Sequence, residues 1–183
     1  MDAPRLERAL AESTLVFDAE TIDAAIERLA VRINVEFSGQ VPIFMIVMNG
    51  GLPFGAAIFD RFQGPCELDY VHVARYGHET SGGELRWLRE PSLDVAGRTV
   101  ILLDDVLDRG ISVLRVTERL QTLGAQTVAT AVLVRKAVAD CVTQADYVAL
   151  DAPDLFLFGR GMDYLGGWRN LQEIRALNPD AQA

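Results

Sequence analysis

The stretch from Thr99 to Ser112, Thr-Val-Ile-Leu-Leu-Asp-Asp-Val-Leu-Asp-Arg-Gly-Ile-Ser, limits the possible folds more than any other part of the chain. Thr99 to Leu103 is an unbroken run of apolar or β-favouring residues. Such a run suits a strand covered on both faces, as in a parallel sheet. It leads directly into Asp104 and Asp105, with Asp108, Gly110 and Ser112 close behind. Ligands of such sheets sit beyond the carboxyl ends of the strands, so a strand that ends in acid puts its carboxylates where a ligand would be. Val113, Val116, Leu120 and Leu123 then recur at helical spacing, and Gly124 closes the predicted helix.

A turn closed by Gly110 and a hydroxyl at a helix start aims backbone N–H groups and the positive end of the helix dipole at one spot, which favours a phosphate. It is not a Walker loop, because no Gly-Lys-Ser/Thr follows a four-residue spacer, and the chain has no Gly-x-Gly-x-x-Gly. Carboxylates would repel a bare polyphosphate. They make sense there if they hold sugar hydroxyls, a metal ion or a proton in transit. A solvated acidic turn is the alternative.

Along the rest of the chain, Pro4 to Leu10 and Asp18 to Val35 read as helices, the second capped by Asp18 and carrying Ile22, Ile26, Leu29 and Ile33 on one face. Pro42 to Met48 is a second apolar run, ending in Asn49-Gly50-Gly51 before a helical stretch from Pro53 to Phe62. The paired glycines are either a tight connection or a place where backbone approaches a ligand. Leu68 to Tyr76 and Leu85 to Leu88 read as strands joined by a mobile loop, and Thr127 to Val134 and Tyr147 to Leu150 as further strands. Alternating strands and helices predict an α/β fold. Arg135 and Lys136 end the strand from Thr127, and Lys136 is the only lysine beside sixteen arginines. The aromatic run around Phe156 and Phe158 serves either as core or as a stacking platform for a flat ligand.

Length and charge narrow the function. With 183 residues, half of them hydrophobic, the chain fits one domain with a full core. A net charge of −9 argues against a nucleic-acid surface. Cys66 and Cys141 have no metal spacing and are expected to be buried thiols in a reducing compartment. No signal peptide and no apolar run near ~18 residues are visible, so the expectation is a cytoplasmic protein with no membrane partner.

Val100 to Ser112 resembles the phosphoribosyl-pyrophosphate signature of type I phosphoribosyltransferases, with Arg109 at the usual Thr position. From about Val41 to Leu171 the chain is similar to the 6-oxopurine branch of that class, the hypoxanthine-guanine phosphoribosyltransferases. The resemblance implies a central, mostly parallel sheet flanked by helices, with a small hood built from terminal segments. It implies one domain over 1–183, with a core of about 36–150, a hood from about 1–35 and 151–183, and a mobile lid of about 76–84. Met48-Asn49-Gly50-Gly51 looks like the pyrophosphate loop, where a non-proline cis peptide is expected at the first bond. Arg75-Tyr76-Gly77 looks like the start of the lid, with Arg75 where Ser is common.

The resemblance also assigns roles. Asp104, Asp105, Asp108, Arg109, Gly110, Ile111 and Ser112 would bind ribose and 5′-phosphate, with Asp108 as the general base. Asn49, Gly50, Gly51 and Arg169 would take pyrophosphate. Lys136, with Arg135 one residue away as the competing assignment, would reach the purine O6, and Phe156 would stack on the base between Leu155 and Leu157. Asp104, Asp105 and Asp163 would hold Mg²⁺. The implied reaction moves the phosphoribosyl group of phosphoribosyl pyrophosphate to N9 of hypoxanthine or guanine, in a homodimer or homotetramer. The alternatives are a metabolite-sensing regulator on the same fold, or an enzyme for another base.

Overall fold

In the computed structural model, which describes residues 2–75 and 85–178, the apolar runs become the inner strands of a sheet covered on both faces. The elements in chain order are α1 (Ala3–Glu12), β1 (Thr14–Phe17), α2 (Ala19–Glu36), β2 (Ile43–Met48), α3 (Leu52–Phe59), β3 (Glu67–Arg75) and β4 (Leu85–Arg89). They continue with β5 (Thr99–Leu107), α4 (Ile111–Thr122), β6 (Thr127–Lys136), β7 (Tyr147–Ala152), β8 (Leu157–Phe158) and β9 (Ile174–Ala176). The main sheet has the order β4-β3-β2-β5-β6-β7, parallel except for the edge strand β4.

Side chains along a strand point alternately to the two faces, and the sequence uses both. Phe44 and Ile46 of β2 and Ile101 and Leu103 of β5 join α2 and α3 in one core, built around Ile22, Ile26, Leu29, Ile33, Phe54 and Ile58. Ile43, Met45, Val47, Val100 and Leu102 face the other way, onto Val113, Val116 and Leu120 of α4. That two-sided burial is why these strands read as solid apolar runs. Asp18 caps α2 as expected, its carboxylate accepting from the Thr21 N–H at 2.8 Å.

A second sheet, β1-β9-β8, is antiparallel and joins the two ends of the chain. It lies with α1 around a small core of Leu6, Ala9, Phe158, Tyr164 and Leu177. Strands of two to four residues carry too little periodicity to be seen in sequence, and this sheet is absent from the reading above.

Other expectations are corrected. The strand from Thr99 does not end at its acids: β5 runs through Asp104 and Asp105 to Leu107, its ladder continuing with β6 as far as Leu107 opposite Arg135. The helix from Pro53 stops at Phe59, where the Arg61 and Phe62 N–H groups turn back to Ile58 and Phe59. Leu123 is the exposed C-cap of α4 and not part of its buried face. Cys66 and Cys141 are half-buried, at the margins of the two larger cores, and burial raises the Cys66 thiol above its ordinary range. Tyr76, Gly77 and the rest of the expected lid, 76–84, lie outside the described residues.

Candidate active site

Numbered among themselves, the five parallel strands follow the order 2-1-3-4-5, which reverses direction between β2 and β5. A crevice forms at such a switch point beyond the carboxyl ends of the strands. The register shows how it opens here. β2 pairs with β5 only as far as Ile46 opposite Leu103, while β5 continues four residues further beside β6. Asp104 and Asp105 therefore sit where β5 has lost its neighbour on one side.

The gap is a cavity of about 240 Å³ lined by Val47, Met48, Asn49, Gly50, Val73, Asp104, Asp105, Val106, Asp108, Gly110, Ser112, Val113 and Arg169. A second cavity of about 190 Å³ adjoins it, lined by Lys136, Leu155, Phe156, Leu157, Met162 and Asp163. Asp105, Val106 and Asp108 line both. Chain segments far apart in sequence meet here because they are the strand ends of one sheet and the loop that returns over them.

The acid cavity is fixed largely by backbone. The Met48–Asn49 peptide is cis, as the resemblance anticipated. A Cβ on Gly50 would lie 1.9 Å from the Asp105 Oδ2, so only a residue without one fits against that carboxylate. Gly51 lies beneath, buried at the start of α3. From the returning loop, Gly161 presses on the same turn, with room for a Cβ only 2.1 Å from the Gly50 carbonyl oxygen. Gly110 turns the chain into α4, whose first-turn N–H groups have no partners within the helix.

Asp104 and Asp105 are buried, 7% and 8% exposed. The Asp105 N–H donates to Asp104 Oδ1 at 2.9 Å, and the Val106 N–H donates to Asp105 Oδ1 at 2.8 Å. Burial pushes the Asp105 carboxyl above its ordinary range, against the opposing pull of its hydrogen bonds and the Arg169 charge. Arg169 pairs with Asp163 at 2.5 Å and donates to the Gly161 carbonyl at 2.6 Å. The second cavity is held by side chains. Lys136 is 12% exposed and donates to Asp108 Oδ1 at 3.2 Å, with Asp154 Oδ1 closer still at 2.7 Å. Phe156, 45% exposed, meets the Tyr164 ring edge-on at 5.8 Å.

The expected residues thus converge, with exceptions. Arg109 lies outside the lining of both cavities, its side chain 3.4 Å from Asp140, and Gly51 and Ile111 are also outside. Arg135 points away from the site, paired with Asp151 at 2.7 Å. The only trace of Asp154 in sequence was an acid two residues before Phe156, and Gly161 and Met162 had no signal at all. An acid-edged chamber opening into one with a cation and a flat ring can hold a phosphorylated sugar against an aromatic base.

The donor set also suits magnesium. Mg²⁺ takes oxygen ligands, commonly one or two carboxylates together with substrate phosphates and water. Asp104 and Asp105 offer adjacent carboxylates in the acid cavity, with Asp163 across the shared wall. Among the described residues no group of three or more His, Cys, Asp or Glu could hold a metal unaided. The carboxylates fit an ion that arrives with phosphates.

Comparison with known proteins points the same way. The family profile described as phosphoribosyl transferase domain matches residues 15–164. The chain is 30% identical, over 91% of its length and 93% of the relative's, to a hypoxanthine-guanine phosphoribosyltransferase of Streptococcus thermophilus. It is 28% identical to that of Bacillus subtilis over 90% and 93% of the two chains. A hypoxanthine phosphoribosyltransferase from Staphylococcus aureus superposes with a TM-score of 0.89 over 100% and 99% of the chains at 21% identity, a likeness of fold. One from Trypanosoma cruzi gives a TM-score of 0.85 at 26% identity, over 92% and 93%. The chain belongs to the phosphoribosyl transferase family.

Proposed function

We propose that the protein moves the 5-phosphoribosyl group of phosphoribosyl pyrophosphate to N9 of a 6-oxopurine, hypoxanthine or guanine, giving the nucleotide and pyrophosphate. The observation that carries this reading is the wall of Asp105, Val106 and Asp108 common to both cavities. A base held in one chamber would then lie against the reacting carbon of a sugar held in the other. Relatives named hypoxanthine-guanine phosphoribosyltransferase support it.

In this reading Asp104 and Asp105 hold the ribose hydroxyls, and the N–H groups of Asp108, Arg109, Gly110, Ile111 and Ser112 cradle the 5′-phosphate. The Asn49-Gly50-Gly51 turn and Arg169 receive pyrophosphate. Phe156 stacks on the base, with Leu155 and Leu157 beside it, and Lys136 donates to O6. As N9 attacks C1 the bond to pyrophosphate breaks, and Asp108 accepts the N7 proton, a role worth about 10² to 10⁴ in rate. Magnesium held by Asp104 and Asp105, with Asp163 the acid for a second ion, would offset charge developing on the leaving oxygens.

The same reading takes 1–183 as one domain, with a core of about 36–150 and a hood from its two ends, working as a homodimer or homotetramer in the cytoplasm. Among the described residues no helix is long and apolar enough to cross a membrane. Light scattering on the purified chain would give the assembly.

The test is pyrophosphate release from phosphoribosyl pyrophosphate on adding hypoxanthine, guanine, xanthine or adenine. Release is expected with 6-oxopurines and not with adenine. Tight binding of phosphoribosyl pyrophosphate with no release for any base would favour a metabolite-sensing regulator. Asp108→Asn should lower kcat by about 10² or more while leaving phosphoribosyl-pyrophosphate binding within a few-fold.

A further inference from the structure

We propose that Asp154 is a positioning residue for base recognition, drawing the Lys136 ammonium toward the edge of the base cavity so that it is shared with Asp108 and not held by Asp108 alone. The inference rests on the phosphoribosyl-transfer reading above and adds to it the group that makes a shared lysine usable.

Lys136 is nearly buried and its ammonium lies between two carboxylates, Asp108 at 3.2 Å and Asp154 at 2.7 Å. Only the Asp108 contact has hydrogen-bond geometry, and Asp154 is the closer ion-pair partner. The two acids have different duties. Asp108 lines both cavities and must present an oxygen lone pair to the N7 proton. An ammonium hydrogen-bonded to that oxygen competes for the same lone pair. Asp154 lines neither cavity and can hold the cation without blocking chemistry.

With Asp154 removed, Asp108 is the one acid left of the pair, and Coulomb attraction would tighten the hydrogen bond that Lys136 already makes to it. The proton acceptor would be occupied and the donor meant for O6 turned away, two losses from one side chain. The local chain supports this division. Asp154 and Phe156 lie in one short connection between β7 and β8, pinned where the Leu155 N–H donates to the Pro153 carbonyl at 2.8 Å and the Leu177 N–H donates to the Phe156 carbonyl at 3.0 Å. The stacking ring and the anchor of the ammonium are therefore fixed relative to each other by a single stretch, and a 6-oxopurine lying on the ring meets the lysine at its edge. Asp154 is 59% exposed on its side chain, so truncating it opens no core.

The experiment compares Asp154→Asn and Asp154→Glu with the wild-type chain. It measures dissociation constants for the 6-oxo and 6-amino nucleotides IMP and AMP, kcat with hypoxanthine, KM for phosphoribosyl pyrophosphate, and Tm. For Asp154→Asn, IMP binding and kcat should each fall about tenfold, while AMP binding and the KM for phosphoribosyl pyrophosphate stay within about twofold. Tm should hold within about 2 °C, since Asp154 is largely exposed and Lys136 keeps Asp108 as a partner, and Asp154→Glu should recover most of the IMP preference. An unchanged ratio of IMP to AMP binding would overturn the proposal. So would an equal weakening of IMP, AMP and phosphoribosyl pyrophosphate, which would make Asp154 a general structural acid. Should the wild-type chain release no pyrophosphate with any 6-oxopurine and bind IMP no better than AMP, the underlying transfer reading fails as well.

Discussion

The acid cavity is bounded by the ends of β2 and β5, where a glycine turn lies against buried carboxylates and there is no room for even one added carbon. The base cavity next to it is bounded by side chains from β6 and from the β7–β8 connection, held by ion pairs and a half-exposed ring. The first is set by backbone and responds to volume. The second is set by charge placement and responds to which groups are paired. If a phosphorylated sugar occupies the first and a base the second, as proposed, damage away from their common wall is separable by which substrate is affected.

The sharpest attack on the first half of this contrast is Gly50→Ala. The added carbon would lie 1.9 Å from the Asp105 carboxylate, so the turn or the acid must move. Displacements near 1 Å at a reacting site cost about 10² in rate, and kcat/KM for phosphoribosyl pyrophosphate should fall by about that factor. Retention within a few-fold would show that the turn is not held by its backbone fit.

The second half is tested by Lys136→Met beside Arg135→Met. The first should cut kcat/KM for hypoxanthine about tenfold or more, because a site built to donate to an oxygen loses its discrimination with the donor. The second should change it less than about twofold, since Arg135 forms a solvent-exposed pair with Asp151 on the far side of the strand. The reverse result would move O6 recognition to Arg135 and leave the base cavity without its cation.

These two halves were not equally legible. The strands that frame the acid cavity announce themselves, because a strand buried on both faces must be apolar at every position, as Ile43–Val47 and Val100–Leu103 are. The acids and the glycine pair could be found along the chain by local signature, and Arg169 through the family resemblance. That β5 runs on past its acids was invisible, since the reason is the ladder to β6 and not anything in Asp104 or Asp105 themselves. The small antiparallel sheet was invisible too, because Thr14 pairs with Ala176 from a distant part of the chain. Asp154 escaped for a related reason: its meaning depends on Lys136, which only the fold brings to it.

A smaller effect concerns stability. Burial raises the folded-state value of the Asp105 carboxyl, so the native protein binds that proton more tightly than the unfolded chain does. Stability from this group is present at low pH and is lost as pH rises through the raised value. Asp105→Asn should therefore raise Tm at pH 7, and the advantage should shrink as pH falls into the acid range. Calorimetry at both ends of that range checks it. A variant less stable at pH 7 would mean that hydrogen bonds, and not burial, dominate the carboxyl.

Smallest of all should be Asn49→Ala. If the turn receives pyrophosphate through its N–H groups, inhibition by pyrophosphate should stay within about twofold, and a tenfold weakening would give the Asn49 side chain a direct part.

A chain with a single lysine, seated in the wall of one cavity, carries its own chemical reporter. Apart from the amino terminus, an acylating reagent selective for amines has one side chain to modify. The extent of labelling at Lys136, read by mass spectrometry of one peptide, would follow occupancy of the base cavity without any engineered tag, and nucleotide protection curves could be taken on the native protein.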